Sequence, residues 1–258
     1  MSVTLDREPD RPHVAHLRID SGDLNLFTGD LAREFRKTVA SVPEAVSVLT
    51  IAAPQPADGV RGLSAGLNLE WAHDLSPHEG HDLLQDFYDA IEAVRDLDAV
   101  TVCGCGDYTL GVAFELAAAC EFRVATADGS LGLPEVDIGL PTVIQGGLVL
   151  DLVGRGVANE LIYAAETISG ERARELGVVT RAPPAEGYAE TFDDFVDTMA
   201  GKSPAVLAQQ KRVLRRCRSN GLEAGMEASI GDAGRAFGDH AQREGMTAFL
   251  EDRDPEWD

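Results

Sequence analysis

Three short stretches of the chain carry residue types suited to catalysis. The first is Leu110-Gly111-Val112-Ala113-Phe114-Glu115-Leu116-Ala117, where a glycine feeds an apolar helical segment. The first amides of a helix have no partner inside it and favour negative charge. Glu115 stands on that apolar segment; burial there would raise its proton affinity unless the carboxylate is paired. A solvent-facing glutamate on a half-exposed helix is the alternative. The second stretch is Leu131-Gly132-Leu133-Pro134-Glu135-Val136-Asp137-Ile138-Gly139-Leu140-Pro141, which sets Glu135 in an apolar loop twenty residues further on. Two carboxylates in one dry pocket perturb each other and can divide the work of general acid and general base. Two independent surface glutamates are the alternative. The third stretch, Gly62-Leu63-Ser64-Ala65-Gly66, matches the G-x-S-x-G turn that displays a nucleophilic serine. That turn needs a strand running straight into it, and here residues 54–61 intervene. No HGGG-type segment supplies an oxyanion hole, and His240 falls in an expected surface helix. A serine hydrolase using Ser64 is thus the weaker reading.

The elements that must position these residues alternate between strand and helix. Residues 14–20 place Ala15, Leu17 and Ile19 at period two, the pattern of a half-buried strand. Residues 30–42 put Leu31, Phe35 and Val39 on one helical face. Residues 46–52 read as a buried strand ended by Pro54 and Pro56. Ser76-Pro77-His78-Glu79 combines a capping serine, a proline at the first helical position and the glutamate of a capping box. The helix it opens carries Leu84, Phe87, Ile91 and Val94. Strands follow at 100–105 and 122–125, flanking an apolar helix at 112–119. Residues 169–176 form a capped helix closed by Gly177. From about Tyr188 only helices remain, near 190–199, 203–217, 222–237 and 239–250. An α/β body with a helical appendage is expected. A helical segment too small for its own core commonly packs on a partner subunit.

Composition narrows the function classes. The chain has 258 residues, 44% of them hydrophobic, enough to bury a sizeable core and argue against disorder. No apolar run approaches the roughly 18 residues that span a bilayer, and no secretory signal is read at the N-terminus, so a cytoplasmic protein is expected. Acidic residues number 44 against 22 basic, a formal net charge of −22. Such a chain repels phosphate backbones and anionic lipid, so neither nucleic acid nor membrane is an expected partner. Excess carboxylate also suits a halophilic cytoplasm, where salt screens self-repulsion; an acidic mesophilic protein is the plainer alternative. Cys103, Cys105, Cys120 and Cys217 lack zinc-site spacing, and the three in apolar segments read as core thiols. His73, His78 and His81 read as loop and helix-surface residues, and no metal site is expected.

The chemistry-bearing stretches, taken in order, resemble the enoyl-CoA hydratase/isomerase (crotonase) family. Leu63-Ser64-Ala65-Gly66-Leu67-Asn68-Leu69 is similar to its F-x-A-G-A-D-L segment, and Gly111-Val112-Ala113-Phe114-Glu115-Leu116-Ala117 to its G-G-G-x-E-L-A. Leu131-Gly132-Leu133-Pro134-Glu135-Val136-Asp137-Ile138-Gly139 is similar to F-G-x-P-E-x-x-x-G. The stretch Ala173 to Val178 resembles A-x-x-x-G-L-V, and the closing stretch Glu244 to Pro255 resembles E-G-x-x-A-F-L-E-x-R-x-P.

The resemblance implies an α/β fold, a crotonase-like spiral of ββα units over 1–187 holding the acyl-CoA site. A C-terminal helical oligomerisation domain would follow over 188–258, assembling trimers or hexamers. It implies an acyl-CoA thioester as ligand, with coenzyme A arriving as part of the substrate and no permanently bound cofactor. The backbone N–H groups of Leu67 and Val112 would form the oxyanion hole, and Glu115 and Glu135 the acid/base pair. Ser64, Ala65, Gly66, Asn68 and Gly111 would lie along the substrate. Arg61 and the basic run 211–218 are the cations on offer to the coenzyme A phosphates; solvated side chains balancing local acid are the alternative. Glutamate at both catalytic positions points to a hydratase of fatty acid metabolism, a lyase, since simple isomerases typically need only the one matching Glu135. Val143 stands where dienoyl isomerases carry a further acid. Isomerisation, thioester hydrolysis and non-catalytic acyl-CoA binding stay open. The chain also departs from the pattern. Val112 and Ala113 replace glycines, so the hole requires Val112 to hold an ordinary backbone angle. Asn68 replaces an aspartate, and Leu140-Pro141-Thr142-Val143-Ile144 replaces a glycine-rich stretch.

Overall fold

The structure, a computed structural model, describes residues 1–257. Strand β1 (Ser2–Arg7) pairs antiparallel with β2 (Val14–Asp20). Helix α1 (Gly29–Ala40) then leads to β3 (Val48–Ala52), which lies parallel to β2. The short α2 (Leu69–Ala72) and long α3 (Pro77–Asp96) precede β4 (Val100–Leu110), parallel to β3. Helix α4 (Val112–Ala119) connects β4 to β5 (Phe122–Gly132), again parallel. A 3-10 turn (Pro134–Ile138) and α5 (Gly146–Tyr163) lead to the short β6 (Ile168–Ser169), antiparallel to β5. The six strands lie in sequence order across one sheet. Helix α6 (Gly170–Glu175) follows, then α7 (Tyr188–Ala200), α8 (Pro204–Asn220), α9 (Leu222–Arg235) and α10 (His240–Glu251).

Period-two patterning sorts the side chains of this sheet. Leu17, Ile19, Leu49, Ile51 and Cys103 face one side and pack with Phe35 of α1, Phe87 and Ile91 of α3 and Phe114 of α4. The alternate residues Val14, Val48, Val102 and Val124 face the other side, where Tyr188, Phe195 and Val196 of α7 cover them. Cys103, Cys105 and Cys120 are buried in the first of these cores, as expected for small apolar thiols. The capping box at Ser76 forms in full and opens α3.

The structure departs from the expected elements in three places. Strand β1 alternates Val3 and Leu5 among polar residues, and its pairing with β2 outweighs that polarity. Helix α5 has no counterpart in the sequence reading; its Gly146, Gly147, Gly154 and Gly156 mask the helical pattern, and the chain kinks at Gly154. Strands β4 and β5 run well past the expected 105 and 125. The pairing shifts register around Gly106, which takes φ +61°, and a side chain there would collide with the Arg61 carbonyl. The strands bend at that point, and Tyr108–Leu110 pairs with Ser130–Gly132. This second segment bridges Ser64 through Thr109, while Leu67 bridges Phe27. The bend thus delivers the 62–68 segment and the start of α4 to one place.

Basic residues of α8 fasten it to the body. Lys211 donates to the Ala99 carbonyl at 2.7 Å and to Glu121 at 2.9 Å, Arg212 pairs with Asp98, and Arg215 reaches the Asp96 carbonyl. Among the described residues no helix is long and apolar enough to cross a membrane.

Candidate active site

The segment before α2 is shaped by hydrogen bonds that leave one amide over. Buried Asn25 donates to the carbonyls of Ile19 and Leu63, tying the 21–27 loop to this segment. Ser64 is fully buried, and its Oγ accepts from the Gly66 N–H at 2.9 Å. That hydroxyl shapes the turn, which Gly66 completes at φ +97°. Phe27 bonds to the Gly66 carbonyl and the Asn68 amide, so the peptide groups of Leu67 face the opposite way. Asn68 accepts from the Trp71 amide at 3.0 Å and caps α2.

The second turn supplies another such amide. Gly111 takes φ +58° and ψ −133°, a conformation essentially reserved for glycine, and caps α4. Val112 is the first helical residue and keeps an ordinary negative φ. The sharp angle thus falls one residue before the valine, and the β-branched side chain is no obstacle. Among the described residues, neither the Leu67 nor the Val112 N–H has a hydrogen-bond partner. The backbones of Gly66 and Gly111 touch: a Cβ on Gly66 would lie 3.8 Å from the Gly111 Cα.

Both amide-bearing residues border a cavity of about 160 Å³. Its walls include Ala65, Gly66, Leu83 and Phe87, with Leu140, Val143 and Ile144 from the loop before α5. Among the described residues, its only carboxylates are Glu115 and Glu135. Glu135 sits in the 3-10 turn, where a Cβ on Gly111 would come within 3.0 Å of its Oε1. The Thr142 hydroxyl donates to the Glu135 Oε2 at 3.2 Å. Glu115 is 1% exposed and accepts from the Gln145 amide at 2.6 Å. Burial pushes Glu115 from its ordinary 4.5 up to about 7. The Gln145, Gly146 and Ile144 amides oppose that rise, and the nearby Glu135 carboxylate adds to it. Burial also raises Glu135, against its own amide and the Thr142 hydroxyl. Two carboxyls whose proton affinity burial raises, beside unpaired amides, suit proton transfer next to a developing oxyanion.

The structure therefore brings together Ala65, Gly66, Leu67, Gly111, Val112, Glu115 and Glu135. Ser64, Asn68 and Arg61 stand outside the cavity wall. Arg61 pairs with Asp20 at 3.2 Å and with the Gly22 carbonyl. The basic run of α8 is engaged by acids and carbonyls of the body. His240, the partner that a serine hydrolase would need in chain order, opens α10 in the helical tail. His73, His78 and His81 are exposed, and among the described residues no group of three or more metal-binding side chains converges. Thr142 and Gln145 were missed from sequence; the Gln145-Gly146-Gly147 helix start was the available signal, because such a start presents free amides to an anion.

Comparison with known proteins gives the family and the fold. The family model described as enoyl-CoA hydratase/isomerase matches residues 22–258. A crotonyl-CoA hydratase of Syntrophomonas wolfei is 27% identical over 236 residues, covering 89% of this chain and 88% of its own. A probable enoyl-CoA hydratase of Bacillus subtilis is 31% identical over 200 residues, covering 76% and 78% respectively. The crystal structure of an enoyl-CoA hydratase from Bacillus anthracis superimposes with a TM-score of 0.90 at 22% identity, covering 100% of this chain and 99% of that one.

Proposed function

Because the chain belongs to the enoyl-CoA hydratase/isomerase family, we propose that it hydrates the C2=C3 double bond of a trans-2-enoyl-CoA. The observation that carries this reading is the pair Glu115 and Glu135 on one apolar cavity, beside two unpaired amides. The Leu67 and Val112 N–H groups grip the thioester oxygen, and the start of α4 favours the enolate charge. Glu115, whose anion the amides of residues 144–146 support, takes a proton from water as its oxygen bonds to C3. The π electrons move onto the thioester oxygen. As the enolate collapses, Glu135 gives its proton to C2, and exchange between the two acids resets them. Removing one oxyanion donor typically costs about 2.7–4 kcal/mol of transition-state stabilisation. Coenzyme A enters with the substrate, and the reaction needs no bound cofactor.

The same reading has the chain work as a trimer or hexamer. Ile230 of α9 and Phe249 of α10 are 70% and 85% exposed, and burial against a second copy would remove that apolar surface from water.

Incubation with crotonyl-CoA in water carrying heavy oxygen and deuterium tests the assignment. Hydration puts heavy oxygen on C3 and deuterium on C2. Deuterium alone means isomerisation or exchange, free coenzyme A means hydrolysis, and either result overturns the proposal.

A further inference from the structure

The peptide that meets Glu115 is itself held from a distant helix. Gln145 precedes the first turn of α5, and its side chain donates to the Glu92 carboxylate on α3. The same Glu92 oxygen accepts from Arg95, one turn further along α3. Gln145 is buried at 8% exposure, while Leu140 and Val143 of its loop are exposed. The loop's other polar ties run from the Leu140 amide and the Thr142 hydroxyl to Glu135, and from the Ile144 amide to Glu115. Arg95 also keeps a buried Nε with no partner among the described residues. A native structure tolerates such an orphan donor where another requirement fixes the side chain.

We propose that Glu92, anchored by Arg95, is a positioning residue that fixes the Gln145 peptide and through it the orientation of Glu115. The inference rests on the acid/base role given to Glu115 above. Few other groups compete for this task. Glu135 in the 3-10 turn is the charged neighbour that faces Glu115 directly. The first turn of α5 carries no acidic side chain and offers main-chain amides. Beneath α4, Arg123 of β5 is spent on the Ala117 and Cys120 carbonyls at the far end of that helix. Glu92 and Arg95 are therefore the ionic pair on α3 that reaches Glu115, and they do so through Gln145.

Carbon-13 NMR of glutamate-labelled protein follows the Glu115 carboxyl directly, its signal assigned by its loss in Glu115→Gln. Glu92→Ala frees the Gln145 peptide, and the Glu115 midpoint rises by about half a pH unit or more. Turnover falls roughly tenfold while KM holds. Glu92→Gln keeps an oxygen that accepts from both Gln145 and Arg95, so midpoint and turnover return toward the parent values. Gln145→Leu breaks the tie from the loop end and repeats the Glu92→Ala shift, which covers the case in which Glu92→Ala does not fold. Unmoved midpoints in both breaking variants overturn the proposal. So does a Glu92→Gln variant that shifts as far as Glu92→Ala, because an oxygen still able to accept from Gln145 then fails to hold the peptide. A parent protein that shows these shifts yet does not hydrate crotonyl-CoA leaves the positioning intact and removes the hydratase reading instead.

Discussion

The pocket around Glu115 and the outer faces of α9 and α10 treat apolar surface in opposite ways. In the body, apolar side chains close over a carboxyl group, and its hydrogen-bond donors come from the same chain. In the tail, Leu222, Ile230, Phe237, Phe249 and Leu250 stand in water. Among the described residues, the body supplies the whole cavity wall, and α8–α10 supply none of it. The contrast teaches that the cavity bearing Glu115 and Glu135 is closed by residues of the body, while the helical tail leaves its apolar faces uncovered. In the proposed function another copy covers them.

The sharpest way to break the contrast is to disarm the pocket without loosening it. Glu115→Gln and Glu135→Gln should each lower turnover by about 10² to 10⁴-fold. Coenzyme A binding and thermal midpoint should change little, since glutamine keeps the volume; steady-state kinetics beside calorimetry reads both. Parent-level turnover in both variants ends the acid/base assignment.

The next test acts on the tail. Ile230→Asp with Phe249→Asp places charge on both exposed faces, and sedimentation should show the assembly falling to single chains. The body's circular dichroism should persist. An unchanged sedimentation coefficient would show that these faces are not the contact.

A third measurement concerns the proton on Glu115. The folded chain holds it up to about pH 7, whereas the unfolded chain releases it near 4.5. Unfolding thus gives up a proton between these values, and the contribution to stability, complete below 4.5, is lost as pH rises through 7. The upper bound is about 3 kcal/mol. Denaturant titrations across this window should show a shallower decline in Glu115→Gln than in the parent.

The smallest change is Gly111→Ala. Its backbone angles cost any other residue about 1–3 kcal/mol, and the new methyl would press on Glu135. A lowered melting temperature with impaired turnover is expected; a neutral result would mean that the turn relaxes freely.

Much of this was legible in the sequence where local chemistry decides. Ser76 and Glu79 announced the start of α3, and the apolar run 112–119 marked α4 to the residue. Both catalytic candidates were visible because a glutamate amid alanine, leucine and glycine is out of place. What escaped depends on partners far apart in the chain. Gln145 meets Glu115 across 30 residues and Glu92 across 53, and no local pattern encodes either contact. Arg61 is a further case: its charge suggests a phosphate, and its contact with Asp20, 41 positions away, has no local signal either. Helix α5 was hidden by its four glycines, of which Gly154 marks a kink and Gly146 is buried where a Cβ would meet Thr142.

The position of the strain at Gly111 has a consequence for how such sites drift. In the proposed function the oxyanion grip is made of peptide groups, and at its second amide the strained angle belongs to codon 111. Codon 112 is then at liberty to wander from glycine to valine while the grip keeps its shape. Lineages can diverge there without forfeiting the reaction, and a search keyed to three successive glycines would pass such chains by.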